Sequence, residues 1–224
     1  DYIWWMVIMA VLTALYLTLG GYMATVLTDF VQGIIMIVGI VLVVYFVMTN
    51  DVVGGLRNGL EQLAETPDAG GDLTSWYGGK NWFSLISLMV LTSLGTWGLP
   101  QMVHKFYTIR DGKSIKQASV ISTVFALLIG GGAYFIGAFG RLFLNNQLPE
   151  QGFDAIMPEM LNMALPTVMM GVLLVLILSA SMSTLSSVVM TSASSIPIDL
   201  IKGQFAPNMG EKDTVGLMRA LCVI

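Results

Sequence analysis

The segment Ser179-Ala180-Ser181-Met182-Ser183-Thr184-Leu185-Ser186-Ser187 concentrates hydroxyls inside an otherwise apolar run. Read as a helix, it aligns Ala180, Ser183, Thr184 and Ser187 on one face through i, i+3, i+4 and i+7 spacing. That face offers two or three hydroxyl oxygens and, where the helix tilts or loosens, a backbone carbonyl. Such oxygens suit a hard monovalent cation like Na+. The competing reading is packing. Small residues let membrane helices approach closely, and their hydroxyls bond neighbouring helices or their own i−4 carbonyls. Spacing alone leaves both readings open.

Two further segments carry chemistry-bearing residues. Thr28-Asp29, with Gln32 one turn on, places a carboxylate at the edge of an apolar run, and an ionisable residue there is a functional candidate by default. The alternative is a helix N-terminus, with Thr28 or Asp29 as cap. Leu94-Gly95-Thr96-Trp97-Gly98-Leu99-Pro100-Gln101 sets two glycines and a proline late in a third apolar run. That pattern points to a broken helix, where freed backbone groups face a cavity in transporters and Trp97 and Gln101 become available to a solute. An ordinary proline kink is the alternative. Gly130, Gly131, Gly132, Gly137 and Gly140 read as a close-packing surface. Arg141 reads as a snorkelling interfacial residue, His104 as a solvated one, and the methionines as packing.

The elements that must position these residues follow from hydropathy. Of 224 residues 55% are hydrophobic and 11% charged, against about a quarter charged in soluble domains. The mean hydropathy is +0.78. Apolar runs near the ~20 residues needed to cross ~30 Å of hydrocarbon recur along the chain, and the charges fall between them. An all-α, polytopic transmembrane bundle is expected, because a helix satisfies its own backbone in lipid. The spans are placed at about 3–19, 30–48, 83–103, 118–143 and 168–200, with a started span at 214–224, all within one transmembrane transporter domain. Gly20 and Gly21 are expected to break the first span, and a short polar turn containing Thr28 and Asp29 follows before the second. Within the loop at 50–80, Leu56, Leu60 and Leu63 recur at helical spacing among Arg57, Glu61 and Glu65, which predicts an amphipathic surface helix. Trp76, Tyr77 and Trp82 read as an aromatic belt. The short basic loop from Lys105 to Lys116 should be cytoplasmic, which puts Asp1 and residues 50–80 outside.

Some classes are set aside. No basic stripe with interleaved aromatics suggests nucleic acid. Cys222 stands alone, so neither a disulfide framework nor a cysteine-built metal site is expected. The first residue is Asp1 and the last apolar run is too short to span, so a fragment cut from a longer protein at both ends is expected.

Three stretches, in order and at similar spacing, resemble the bacterial sodium:solute symporter family, which includes proline, pantothenate, sialic-acid and sugar symporters. They are Gly20-Gly21-Tyr22-Met23-Ala24 through Thr28-Asp29-Phe30-Val31-Gln32, Gly98-Leu99-Pro100-Gln101 through Lys105-Phe106, and Ala180-Ser181-Met182-Ser183-Thr184-Leu185-Ser186 through Ile198-Asp199-Leu200. The resemblance implies a partial LeuT-type inverted-repeat fold, with the spans as its fourth to eighth core helices. It implies a sodium site at the Ala180 carbonyl and the Ser183 and Thr184 hydroxyls. A second sodium site, similar to that of some sialic-acid symporters, is implied at Ser183, Ser186, Ser187 and Asp29. Substrate-lining positions are implied at Thr92, Thr96, Trp97 and Gln101. Proline symporters carry aromatic residues where this chain has Thr92 and Thr96, a departure from their pattern. The first core helix, which supplies further ligands, belongs to the remaining helices of the full-length transporter.

The function expected is sodium-coupled symport of a small organic solute by alternating access, in a lipid bilayer, with Na+ as coupling ion and no enzymatic chemistry. The bacterial inner membrane is the expected location. A transporter-like membrane sensor in a signalling protein is the alternative.

Overall fold

A computed structural model describes residues 2–66, 74–106, 109 and 111–223; the side chains at 2 and 104–106 are not described. The structure is 85% helical with no strands among the described residues. The chain is therefore an all-α helical membrane protein, as its hydropathy demands. Lys105 and Arg110 of the basic loop lie outside the described side chains.

Helix α1 (Tyr2–Thr49) contains one non-helical residue, Gly21, at φ 59° and ψ −159°. Only glycine tolerates that conformation readily. The helical stretches on either side, 2–20 and 22–49, are each long enough to cross a bilayer. The polar turn expected around Thr28 and Asp29 is not there: both are helical. Thr28 donates its hydroxyl to the Ala24 carbonyl at 2.9 Å, so the capping alternative also fails. The reason is local. A single glycine with an unusual φ makes the break, and the residues after it resume i→i−4 bonding.

Helix α2 (Leu56–Glu65) is the surface helix predicted in the polar loop, tied by an Arg57–Glu61 ion pair at 3.0 Å. Helix α3 (Trp82–Gly95) gives way to a 3-10 turn at Thr96–Gly98 and an extended Leu99, after which α4 (Pro100–Phe106) restarts. The broken-helix reading holds here. Proline suits a first helical position, where its missing N–H is not needed.

Helix α5 (Gly112–Phe143) starts six residues before the span expected at 118–143, because Asp111 caps it by accepting from the Ser114 amide at 2.7 Å. That bond holds the Asp111 carboxyl below the usual carboxylate range. Helix α6 (Ile156–Ala164) is short. Helix α7 (Thr167–Ser195) continues into a π-helical segment, Ile196–Phe205, which accounts for an apolar run too long for a simple span. Pro197 sits at its start and is fully buried. Helix α8 (Glu211–Leu221) follows. Among the described residues, three stretches, 3–49, 112–143 and 167–205, are long and apolar enough to cross a membrane, with mean hydropathy 2.7, 1.9 and 2.2 over their 18-residue apolar windows. Most of their large apolar side chains point outward, as lipid contact requires.

The chain divides into two compact units. The first comprises residues 1–35, 100–108 and 177–224; the second, 36–99 and 109–176. In the first, Leu17, Met190, Ala193 and Cys222 form the apolar core, flanked by Tyr16, Val189 and Leu221. In the second, Val43, Val47, Val53, Leu63, Ile136, Phe139, Phe143, Met160, Leu161, Ala164, Leu165 and Leu173 pack together. Two residues of the expected glycine surface make close approaches there. A Cβ at Gly132 would lie 2.6 Å from Ile40 Cγ1, and one at Gly140 would lie 3.1 Å from Met160 Sδ. Gly130, Gly131 and Gly137 face open space.

Candidate functional site

The candidate site lies in the first unit, where the helical stretch after Gly21 meets the second half of α7. Ser183 donates its hydroxyl proton to Asp29 Oδ1 at 2.9 Å, across 154 residues of sequence. Both residues are half-buried. Ser186, wholly buried, donates to the Ser183 carbonyl at 3.0 Å. Thr191 donates to the Ser187 carbonyl at 2.8 Å, and Thr25 to the Gly21 carbonyl at 3.1 Å.

These bonds share a chemical consequence. Each of these hydroxyls has its proton committed to a carbonyl or carboxylate, so what it offers to anything else is an oxygen lone pair. Lone pairs beside a carboxylate fit a hard cation. An anion would find no donor among these hydroxyls and would be repelled by Asp29.

A cavity of about 270 Å³ opens at this point, lined by Tyr22, Thr25, Val26, Asp29, Gln101, Ser187, Met190 and Thr191. It is smaller than the ~300–1,000 Å³ typical of pockets for drug-sized ligands. It suits an ion with a few waters.

The sequence-predicted residues distribute unevenly. Asp29 and Ser183 bond each other, Ser186 lies directly behind Ser183, and Ser187 shares the cavity with Asp29. Thr184 is exposed, and its hydroxyl donates to the Ala180 carbonyl at 3.1 Å. The Thr184 proton is thus committed to the Ala180 carbonyl one turn back, and neither residue is among those that line the cavity. Gln101, at the start of α4, lines the cavity. Thr92, Thr96 and Trp97 lie in the second unit and are exposed, Trp97 by 73%. The Thr92 hydroxyl donates to the Leu88 carbonyl at 2.8 Å and the Thr96 hydroxyl to the Ser93 carbonyl at 3.1 Å. The Gln32 Oε1, one turn beyond Asp29, is buried without a hydrogen-bond partner.

Sequence reasoning missed Tyr22, Thr25, Met190 and Thr191. A signal was available. Thr25 and Tyr22 stand four and seven residues before Asp29, and Thr191 continues the four-residue step from Ser183 and Ser187. These spacings repeat one helix face.

The fold and site define a helical, multi-pass membrane protein with a carboxylate and hydroxyls gathered between two apolar helices. Comparison with known proteins narrows this. A model of the sodium:solute symporter family matches residues 1–224, and the chain belongs to that family. It is similar to the sodium/proline symporter of Haemophilus influenzae, 32% identical over 96% of this chain and 43% of that protein. It is also similar to the sodium/proline symporter of Escherichia coli, 30% identical over 96% of this chain and 43% of that protein. The sodium/pantothenate symporter of Haemophilus influenzae is 28% identical over 87% of this chain and 39% of that protein. The chain thus spans less than half the length of these curated relatives. No solved structure gives a significant match.

Proposed function

We propose that this protein works in sodium-coupled symport of a small organic solute by alternating access. The observation that supports the reading best is the Ser183–Asp29 hydrogen bond beside a cavity to which Asp29, Thr25, Ser187 and Thr191 contribute oxygens among apolar side chains. Asp29, Ser183, Ser186 and Ser187 would hold one sodium ion. The Ala180 carbonyl with Ser183 and Thr184 would serve a second position on the same helix. Gln101 would contact the solute at the cavity, and Thr92, Thr96 and Trp97 would line its route. Threonine at 92 and 96, where the proline symporters carry aromatic residues, favours a solute other than proline.

The coupling has a simple physical basis. Closing helices over a carboxylate removes it from water, and that desolvation is costly unless a cation neutralises it. Sodium bound at Asp29 lowers the cost of the occluded state, so ion and solute together favour closure. The membrane potential then contributes ~2.3 kcal/mol per charge per 100 mV for each net charge carried inward.

The test is sodium-dependent thermal stabilisation of the full-length protein, screened against amino acids, carboxylates, vitamins and sugars, with Ser183→Ala and Asp29→Asn beside the wild type. A solute whose stabilisation requires sodium in the wild type, and loses that requirement in both variants, supports the reading. Unchanged sodium dependence in both variants overturns it.

A further inference from the structure

Two hydroxyls buried beside this ligand set have no hydrogen-bond partner: Thr13 Oγ1 and the Tyr16 hydroxyl. Thr13 is 1% exposed. It is also an exception within its own helix. Thr18, Thr25, Thr28 and Thr49 each donate to the carbonyl four residues back. The same local bond is open to a threonine anywhere in a helix interior, and Thr13 does not make it. Three residues apart, Thr13 and Tyr16 share a face of α1.

That face meets α7. The Tyr16 hydroxyl faces the Ser186 and Thr13 side chains and feels the Asp29 charge, but it closes no well-formed hydrogen bond with either hydroxyl. Ser186 has already given its proton to the Ser183 carbonyl. Its remaining capacity is to accept, either from a donor such as Tyr16 or towards a cation. Buried polar groups are almost always satisfied, so a pair of orphaned hydroxyls beside a half-satisfied one marks a place where a small polar species is held. Thr13, Tyr16 and Ser186 supply three partners, within the two to four that a buried water requires.

We propose that Tyr16 and Thr13 are positioning residues for the cation site, holding the Ser186 oxygen through one ordered water so that its lone pair is presented on the Asp29 side. The proposal rests on reading Asp29, Ser183 and Ser186 as ion ligands. Groups behind a metal ligand fix its orientation, and their removal typically lowers metal affinity by about 10–100-fold. A ligand held less firmly also discriminates less between ions of different size. The Tyr16 ring packs against the Leu17 core, so Tyr16→Phe removes the hydroxyl and keeps the packing.

The experiment is binding of radioactive Na+ to the full-length protein in detergent, with Li+ as competitor and no solute present. Tyr16→Phe and Thr13→Val are each expected to weaken Na+ binding about 10-fold. They should narrow the preference for Na+ over Li+, the double variant should be no worse than the weaker single one, and Thr13→Ser should restore wild-type behaviour. Sodium affinity within about twofold of wild type in Tyr16→Phe overturns the proposal. So does weaker binding with an unaltered Na+/Li+ ratio, which is what a merely structural role would produce. Should Thr13→Val fail to fold, Tyr16→Phe decides alone. Loss of binding in Asp29→Asn and Ser183→Ala with Tyr16→Phe unaffected defeats only the positioning role. Intact binding in all of them defeats the ion site itself.

Discussion

The two compact units bury different chemistry. In the second unit the buried core is hydrocarbon and one thioether, from Val43 to Leu173. In the first, the apolar core is small, and hydroxyls are buried around it: Thr13, Thr25, Ser179, Ser186, Thr191, Ser194 and Thr214. Among the described residues, all of the buried polar side chains fall in the first unit. Hydroxyls are poor core material, since each must find a partner or lose about 1–3 kcal/mol. The first unit combines its buried hydroxyls with the Asp29 carboxylate, whereas the second is packed with Val, Leu and Phe. In the second unit the ring of Phe139 stacks edge-on against Phe135 at 4.9 Å.

That contrast can be broken by substitution. The largest effect is expected from Phe139→Ala. Phe139 is 1% exposed, and a core Phe→Ala change costs about 3–5 kcal/mol. Unfolding in a denaturing detergent should shift by that amount, while Na+ affinity of the folded fraction should stay at the wild-type value. Weakened affinity would show that the second unit also shapes the ion site.

Asp29→Asn should behave in the opposite way. It removes the charge and keeps the shape, so sodium affinity is expected to fall about 100-fold, near 2.7 kcal/mol, with little change in unfolding. If the unfolding shift exceeded the binding loss, Asp29 would be a structural residue and the contrast between units would disappear.

Gly59→Ala sharpens the packing side. A Cβ there would lie 2.6 Å from Phe139 Cε1 and 2.7 Å from Val53 Cγ1, and overpacking of this kind costs about 1–3 kcal/mol. The same unfolding assay reads it, and a neutral result would mean that the Phe139 ring shifts freely.

The smallest effect is at Asp111. Its carboxyl is lowered from the ordinary value of 3.8, first by the backbone bond to Ser114. A depressed folded-state pKa means that the cap's contribution is full above the ordinary carboxylate range. It declines as pH falls below that range and is gone once the folded carboxyl is protonated. Amide-exchange protection in the first turn of α5, followed as the pH is lowered through and below 3.8, should fall in that order, and Asp111→Ala should abolish the pH dependence.

Much of this was legible without coordinates. The helical class followed from hydropathy, because lipid leaves backbone groups no partner outside the helix. The break at Gly95–Pro100 was legible from two glycines and a proline, whose backbone constraints are local. That Asp29 and Ser183 are polar groups set in apolar helices was legible, whereas their hydrogen bond to each other was not readable from spacing. The break at Gly20–Gly21 was legible from the paired glycines, and Gly21 makes it through one dihedral. The polar turn expected after it at Thr28–Asp29 is absent, because polar composition alone does not take a residue out of a helix. The start of α5 was missed because a single capping carboxylate extends a helix beyond its apolar run.

By itself, then, the order of residue types determined which segments are helical, which are apolar enough for lipid, and which carry oxygens. Those properties depend on neighbours a few positions away. Only the tertiary structure decided that Ser183 reaches Asp29, that Thr184 turns to its own helix, and that Thr13 and Tyr16 end beside Ser186. Those are contacts between residues far apart in the chain, and they depend on how one helix is rotated against another, which periodicity leaves open.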